Sequence, residues 1–351
     1  MVKEHKKMAG LAIKRSTIKD VAKAANVSSM TVSNVINRRS GFVSSKTRLR
    51  VEQEIVRLNY RRQTAARNLR ASHQHSVGMI VLDESPKFLT DFFTTELVAG
   101  LANVLNIADY TMTIQGINPR SLVDSMIMRS IDVGGLCIML SGMEAERLMV
   151  LEQLLSLKQP LVVFQQEVKE KNKHLCLVRQ DDYYGDRIVG GHLLSKDLKD
   201  LLILRPNRNW PAIENRIRGL NEVLSNSMIH PKITILDTGS ESFSDVQTSL
   251  NNYLDQNPLP SSIFGCNDQM AYASILLLGD KGYNVPKDVR VMGFNGFEAH
   301  RHLIPNITTV ISSAYKMGQI AGESMLYYFS NGYFPNYDTI LPVEISLADT
   351  T

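Results

Sequence analysis

The residues near the start of the chain that are best equipped for chemistry are small and polar. Ser28, Ser29, Met30, Thr31, Ser33 and Asn34 fall close together, and Val32, Val35 and Ile36 form a separate apolar side. Short hydroxyl and amide side chains near a helix N-terminus suit a DNA major groove, where Asn can bond adenine and Met or Thr can touch a thymine methyl. Arg38, Arg39, Lys46, Arg48 and Arg50 follow. Such cations grip phosphates, which sets orientation and salt dependence rather than sequence choice.

A second group of candidates sits where short β-branched runs end. Gln165 follows Leu161–Phe164, Asn267 and Asp268 follow Cys266, and Asn295 lies in Gly293-Phe294-Asn295-Gly296. Polar groups at the carboxyl ends of parallel strands face the crevice in which ligands of open α/β sheets bind. Asp268 has an alternative role as the cap of the helix it opens, and Asp181 is expected to cap rather than bind. Trp210 and Phe88 or Phe92 can stack on a sugar face. An amide-rich set with one Arg suits a sugar, an aldonate or a sugar phosphate.

Enzymatic constellations are missing. The sequence has no GxxxxGK[ST] loop, no GxGxxG after a strand, no GxSxG elbow and no His/carboxylate metal spacing, and His192, His300 and His302 show no partner pattern. Cys137, Cys176 and Cys266 are an odd number without a CxxC pair and read as buried structural thiols. No cofactor and no metal are expected. The rival readings are a metabolic enzyme and a transport-type sugar-binding protein built on the same α/β body.

The elements that must position these residues are legible in outline. Thr17 caps a helix whose first turn holds Asp20, and Ile18, Val21, Ala22 and Ala25 form one apolar stripe. Asn26 turns the chain, Ser28 or Ser29 caps a second helix, and a third runs from about Ser45 to Leu58, packing Val51, Ile55 and Leu58 inward. Residues 61–72 are a helix-prone linker in which Ala65, Ala66 and Leu69 are ringed by Arg61, Arg62, Arg67 and Arg70. An exposed Leu among arginines suits a minor-groove wedge. From Ser76 onward β-branched runs alternate with helical ones, as in a parallel α/β sheet. Strands are expected at 76–82, 111–116, 134–140, 161–165, 174–179, 201–205, 233–236, 261–266 and 289–294, too many for one sheet. A division into two doubly wound halves near 165 follows. The chain ends in one strand-like run, Ile340 to Leu347.

Charge divides the chain in the same way. Of the 39 Lys/Arg and 35 Asp/Glu, 17 and 4 fall within residues 1–76, leaving the remainder acidic. A basic arm on an acidic body is the electrostatic footprint of nucleic-acid binding. No apolar run reaches the roughly 18 residues of a membrane span, and the apolar stretch Met8–Ile13 is too short for an export signal. The expected location is the cytoplasm.

Residues 17–60 resemble the N-terminal domain of the LacI/GalR family of transcription regulators. The match rests on Asp20-Val21-Ala22, Ala25, Val27-Ser28, Thr31-Val32-Ser33, Asn37, Val43-Ser44, Thr47-Arg48, Val51 and Leu58-Asn59-Tyr60. The chain departs from the family at Asn34, where Arg is usual, and at Asn295, where Asp is more frequent. The body resembles the family's periplasmic-binding-protein-like core.

The resemblance implies paired hinge helices that each insert a Leu, here Leu69, and an effector-binding Arg on the helix after the sixth strand, here Arg216. Pattern and resemblance together give a DNA-contacting set of Thr17, Ser28, Ser29, Met30, Thr31, Ser33, Asn34, Asn37, Arg38, Thr47, Arg48, Tyr60, Ala66 and Leu69. The effector set is Gln165, Arg216, Asn267, Asp268 and Asn295. The expected organisation is a basic disordered arm (1–16), a helix-turn-helix domain (17–60), a hinge (61–75) and an effector-binding and dimerisation domain (76–351). Within that domain, one half is expected at about 76–165 and 296–325, the other at about 166–295 and 326–351. The expected function is a regulator of the repressor type that binds a pseudo-palindromic operator as a homodimer held through the body and answers allosterically to a small effector.

Overall fold

The computed structural model describes residues 16–37, 39, 41–60, 75–84, 88–122, 124–125, 128, 133–169, 171–207, 210–298 and 304–351. The chain forms two compact units, Met1–Ser72 and His73–Thr351. The expectations for the basic arm, Arg38, Ala66, Leu69 and the hinge at 61–72 fall outside the described residues.

Among its described residues the first unit holds three helices: α1 (Ile18–Ala24), α2 (Ser29–Ile36) and α3 (Ser45–Arg57). Each begins where a short side chain replaces the missing intrahelical partner of an amide. Thr17 and Asp20 form a reciprocal capping box, Ser28 accepts from the Thr31 amide at 3.1 Å, and Ser44 accepts from that of Thr47 at 3.3 Å. Asn26 adopts the left-handed conformation (φ 49°) that turns α1 into α2. Val21, Ala22, Ala25, Val32, Val35 and Val51 are buried, flanked by Ile18, Val27, Ile55, Leu58 and Tyr60. Burial contributes roughly 1.5–3 kcal/mol for each Val-sized side chain, enough to hold so small a core.

The second unit contains two six-stranded sheets. The first comprises β1 (Ser76–Leu82), β2 (Thr111–Ile117), β3 (Gly135–Met139), β4 (Leu161–Phe164), β5 (Leu175–Gln180) and β11 (Asp338–Leu341), in the order β11-β5-β4-β3-β1-β2 and all parallel. The second comprises β6 (Asp200–Arg205), β7 (Lys232–Asp237), β8 (Ser262–Gly265), β9 (Arg290–Asn295), β10 (Thr308–Ile311) and β12 (Glu344–Ser346), in the order β12-β10-β9-β8-β6-β7. Only β12 runs antiparallel to its neighbour. Among the described residues the intervening α-helices are α4 (Phe92–Ile107), α5 (Glu144–Ser156), α6 (Asp182–Leu194), α7 (Pro211–Ser225), α8 (Phe243–Leu254), α9 (Asp268–Asp280) and α10 (Ala314–Asn331). Runs such as Val77–Leu82 are apolar without alternation because both sheet faces are covered.

The sheet assignments correct the expected division into halves. Strand β5 pairs with β4, so the chain leaves the first lobe after Gln180 rather than near 165. Strand number alone requires two sheets but does not say which strand is the last of the first, and β5 follows β4 without an intervening helix. Strand β10 extends the second sheet beside β9, which moves the next crossing from near 295 to Ser312–Ser313. The third lies at Pro342–Val343, not near 325. There the single expected terminal strand is split into β11 in one sheet and β12 in the other.

Candidate functional site

In the first unit the start of α2 carries the expected reading face. Ser29 and Met30 are exposed (Met30 by 68%), and Thr31, Ser33 and Asn34 are partly so, while Val32 and Val35 turn inward. Several of the expected contact groups also hold the fold. The Ser28 and Thr31 hydroxyls bond each other at 2.9 Å, Asn37 donates to Ser33 at 3.2 Å, and Arg48 donates to the Arg39 carbonyl at 3.1 Å. Thr17 is exposed at the capping box, Thr47 accepts from Ser44, and Tyr60 packs against the core. The exposed Phe42 (72%), in the turn before α3, was not singled out from the sequence, because one aromatic in a turn carries no periodic signal.

In the second unit, a cavity of about 270 Å³ opens between the two sheets at the carboxyl ends of their strands. The first lobe lines it with Asp83, Phe88, Asp91, Thr94 and Gln165, and the second with Trp210, Arg216, Glu241, Asn267 and Asn295. Phe88 and Trp210 are thus at the cavity, whereas Phe92 is partly exposed and tilts against Phe297, 6.1 Å between centroids.

Arg216 organises the floor. Its Nε donates to Asp182 Oδ1 at 2.8 Å, Nη1 to the Cys266 carbonyl at 2.6 Å and Nη2 to Asn295 Oδ1 at 3.3 Å. Its guanidinium stacks 3.6 Å from the centroid of the Phe294 ring. Asp182 also accepts from Gln165 Nε2 at 2.6 Å and from Gln180 Nε2 at 3.0 Å. Gln180 Oε1 in turn accepts from Ser312 Oγ and the Ser313 amide, and Ser313 Oγ donates to the Pro342 carbonyl. A buried ion pair at the ligand cavity is therefore wired to all three interlobe crossings.

Two expectations change here. Asp268 does not face the cavity: it is buried, accepts from the Gly296 amide and Thr309 Oγ1, each at 2.6 Å, and pins the loop after β9. The helix cap is Asn267, whose Oδ1 accepts from the Met270 amide at 3.0 Å. Gln165 lines the cavity, but both ends of its amide are used within the fold, since Oε1 accepts from the Gln180 amide at 2.9 Å. Arg216, Asn267 and Asn295 remain at the cavity, and the amide nitrogens of both Asn side chains make no hydrogen bond among the described residues. Gln165 (φ 59°) and Asn295 (φ 116°) hold left-handed backbone that non-glycine residues seldom adopt, and such strain gathers at functional sites. Asp181 caps α6, accepting from the Tyr184 amide at 2.9 Å, as expected.

Asp182 and Asp186 were not foreseen. Burial raises the Asp182 carboxyl above the usual range, against the pull of Arg216 and its amide donors. Asp186, one turn on, is fully buried, and neither of its oxygens has a hydrogen-bond partner among the described residues. Burial raises it well above the usual carboxylate range, Arg216 opposing. All three cysteines are buried, and burial pushes the Cys176 thiol up to about 11. His192 bonds Thr351 Oγ1 at 2.8 Å. Among the described residues no group of His, Cys, Asp and Glu is arranged to hold a metal, and no helix is long and apolar enough to cross a membrane.

A three-helix head and a two-lobed body with a ligand cavity define the class: a transcription regulator of the helix-turn-helix type carrying a periplasmic-binding-protein-like domain. Residues 17–63 match the family described as "Bacterial regulatory proteins, lacI family", and residues 191–350 match the "Periplasmic binding protein-like domain". The head of the chain thus matches the lacI family, and most of the second lobe matches that binding-protein-like domain.

It is 28% identical over 305 residues to the HTH-type transcriptional repressor PurR of Pasteurella multocida, covering 86% of this chain and 89% of that protein. It is 27% identical over 336 residues to the ribose operon repressor of Haemophilus influenzae, covering 93% and 95%. Similar folds include the lac repressor dimer bound to operator and the anti-inducer ONPF (TM-score 0.78, 22% identity, 96% of this chain and 99% of that one). The CelR–cellobiose complex is another (TM-score 0.68, 20% identity, 96% and 100%).

Proposed function

We propose that this chain is a non-enzymatic, cytoplasmic repressor that binds a pseudo-palindromic operator as a homodimer and is controlled by a small neutral sugar. The observation that carries the effector class is the state of Arg216. Its charge is already matched by buried Asp182. The other charged side chains lining the cavity, among the described residues, are the carboxylates Asp83, Asp91 and Glu241. An aldonate or sugar phosphate would meet acids without a spare cation. A neutral polyol would instead meet acceptors, the Asn267 and Asn295 amide donors, and the Phe88 and Trp210 rings. The volume, about 270 Å³, lies just below the roughly 300–1,000 Å³ usual for ligand sites, which suits a monosaccharide.

DNA recognition is assigned to Ser29, Met30, Thr31, Ser33 and Asn34 at the start of α2, with exposed basic residues on phosphates. A single head buries little DNA, so specificity calls for two heads on an inverted repeat. Ligand binding shifts the balance between lobe arrangements and so alters DNA affinity by its differential affinity for the two, about 1–3 kcal/mol of coupling in typical systems. Selection from random duplexes tests the DNA half: an inverted repeat should emerge, and uniform, purely salt-driven retention of every sequence would refute it. A thermal-shift screen tests the other half. A neutral sugar at about 100 times its Kd should add roughly 2.7 kcal/mol of stability. Stabilisation by phosphorylated sugars alone would contradict the assignment.

A further inference from the structure

We propose that Arg147 and Glu214 form an interlobe latch that restrains opening of the ligand cavity. Arg147 projects from α5 of the first lobe and Glu214 from the first turn of α7 in the second. The pair is bidentate: Nη1 donates to Oε1 at 3.2 Å and Nη2 to Oε2 at 2.8 Å. Paired forks of this kind are the strongest ion-pair geometry side chains offer.

The two halves are built differently. The Arg147 side chain is only 3% exposed, against 45% for Glu214. Its Nε donates to Gln166 Oε1 at 2.9 Å, and Nη1 also donates to the Gly142 carbonyl. First-lobe groups therefore hold the guanidinium in place towards the second lobe, so little side-chain freedom is lost when the pair forms. Glu214 sits in the first turn of its helix, where the macrodipole favours an anion. Moving the lobes apart would break both charge-assisted hydrogen bonds of the pair while the Gln166 and Gly142 contacts stay behind in the first lobe.

The latched turn belongs to the cavity. Pro211, Ala212 and Ile213 line it, and Trp210, the N-cap residue of α7, packs against the cores of both lobes. Opening must therefore lift this turn and Trp210 away from the first lobe. A second contact, Arg218 to Glu167 at 3.8 Å, also crosses the lobes, but both of its side chains are exposed and it adds little. The latch favours the closed arrangement before ligand arrives, so entry is limited by the fraction of open molecules. This holds whatever ligand the cavity takes.

Trp210 is the sole tryptophan of the chain, so its fluorescence reports on the cavity without an identified ligand. Acrylamide is the probe. In the full-length protein, Glu214→Gln keeps the shape and removes the charge; its quenching constant should rise by about twofold or more, as a shift from a mostly closed population requires. High salt should raise quenching of the unaltered protein and leave the variant unchanged. Arg147→Gln added to Glu214→Gln should give no further increase, because one interaction is lost only once. Equal quenching of the unaltered protein and Glu214→Gln would overturn the latch. If that variant fails to fold, the salt titration of the unaltered protein decides: quenching that does not change with salt overturns it.

Discussion

At Arg216 one guanidinium meets four kinds of partner: a carboxylate, a backbone carbonyl, an amide oxygen and an aromatic face. Its truncation would strand Asp182 without a counter-charge, which costs about 3–5 kcal/mol in buried pairs, so loss of ligand response in Arg216→Ala would not by itself prove a binding role. Asp186 gives a cleaner test. Its carboxyl is raised in the folded state, so the proton favours folding. The stability it allows is present below its unfolded value, near 3.9, and is lost as pH rises through the raised native value. Asp186→Ala removes a buried group with no hydrogen-bond partner, and we expect thermal unfolding at pH 8 to show a gain of about 1–3 kcal/mol that narrows as pH falls. A gain that does not vary with pH would rule out a titrating Asp186. The sequence pointed to Arg216 through family resemblance but not to its partner. Asp181 read as a helix cap and its neighbour Asp182 carried no signal of its own; only the fold sets one against the Tyr184 amide and the other against the guanidinium.

Among the elements, the pairing of α4 with α10 shows how far local pattern reaches. Nothing in the local pattern pairs these two helices, and their separation is set by two glycines. A Cβ on Gly318 would come within 2.0 Å of the Leu97 carbonyl oxygen, and one on Gly100 within 2.0 Å of that of Tyr315. Backbone cannot retreat as a flexible side chain can, so Gly318→Ala should destabilise the body by about 1–3 kcal/mol or more despite alanine's better helix propensity. Denaturant unfolding checks this; an unchanged midpoint would mean that the helices can separate freely. The strands were mostly evident because β-branched runs bounded by turn residues are a local signal. Their distribution between sheets was not, since β5 and β10 stay beside the preceding strand where a crossing was expected and β11 pairs with a strand distant in sequence.

At the scale of the whole molecule, charge is partitioned between a basic head and an acidic body. Binding to any duplex should therefore weaken steeply with salt through the head's contacts alone. Replacing exposed Lys46 by Ala should weaken operator and random DNA alike and reduce the salt slope by about one, whereas Asn34→Ala should change which bases are preferred. Competition binding at several ionic strengths separates the two. A loss confined to operator DNA in Lys46→Ala would remove Lys46 from the phosphate-contacting set.

What the sequence determined by itself was whatever is written locally: three capped helices in the head, alternating strands and helices in the body, the charge division and the residues at strand ends. Tertiary structure decided which lobe each strand joins, which of those residues still face the cavity, and which are consumed in holding it together. The physical reason is that caps and periodicity act over a few residues. Burial beside Arg216, the release of Asp268 from the cavity and the bridge from Arg147 to Glu214 all arise from segments brought together only when the lobes assemble.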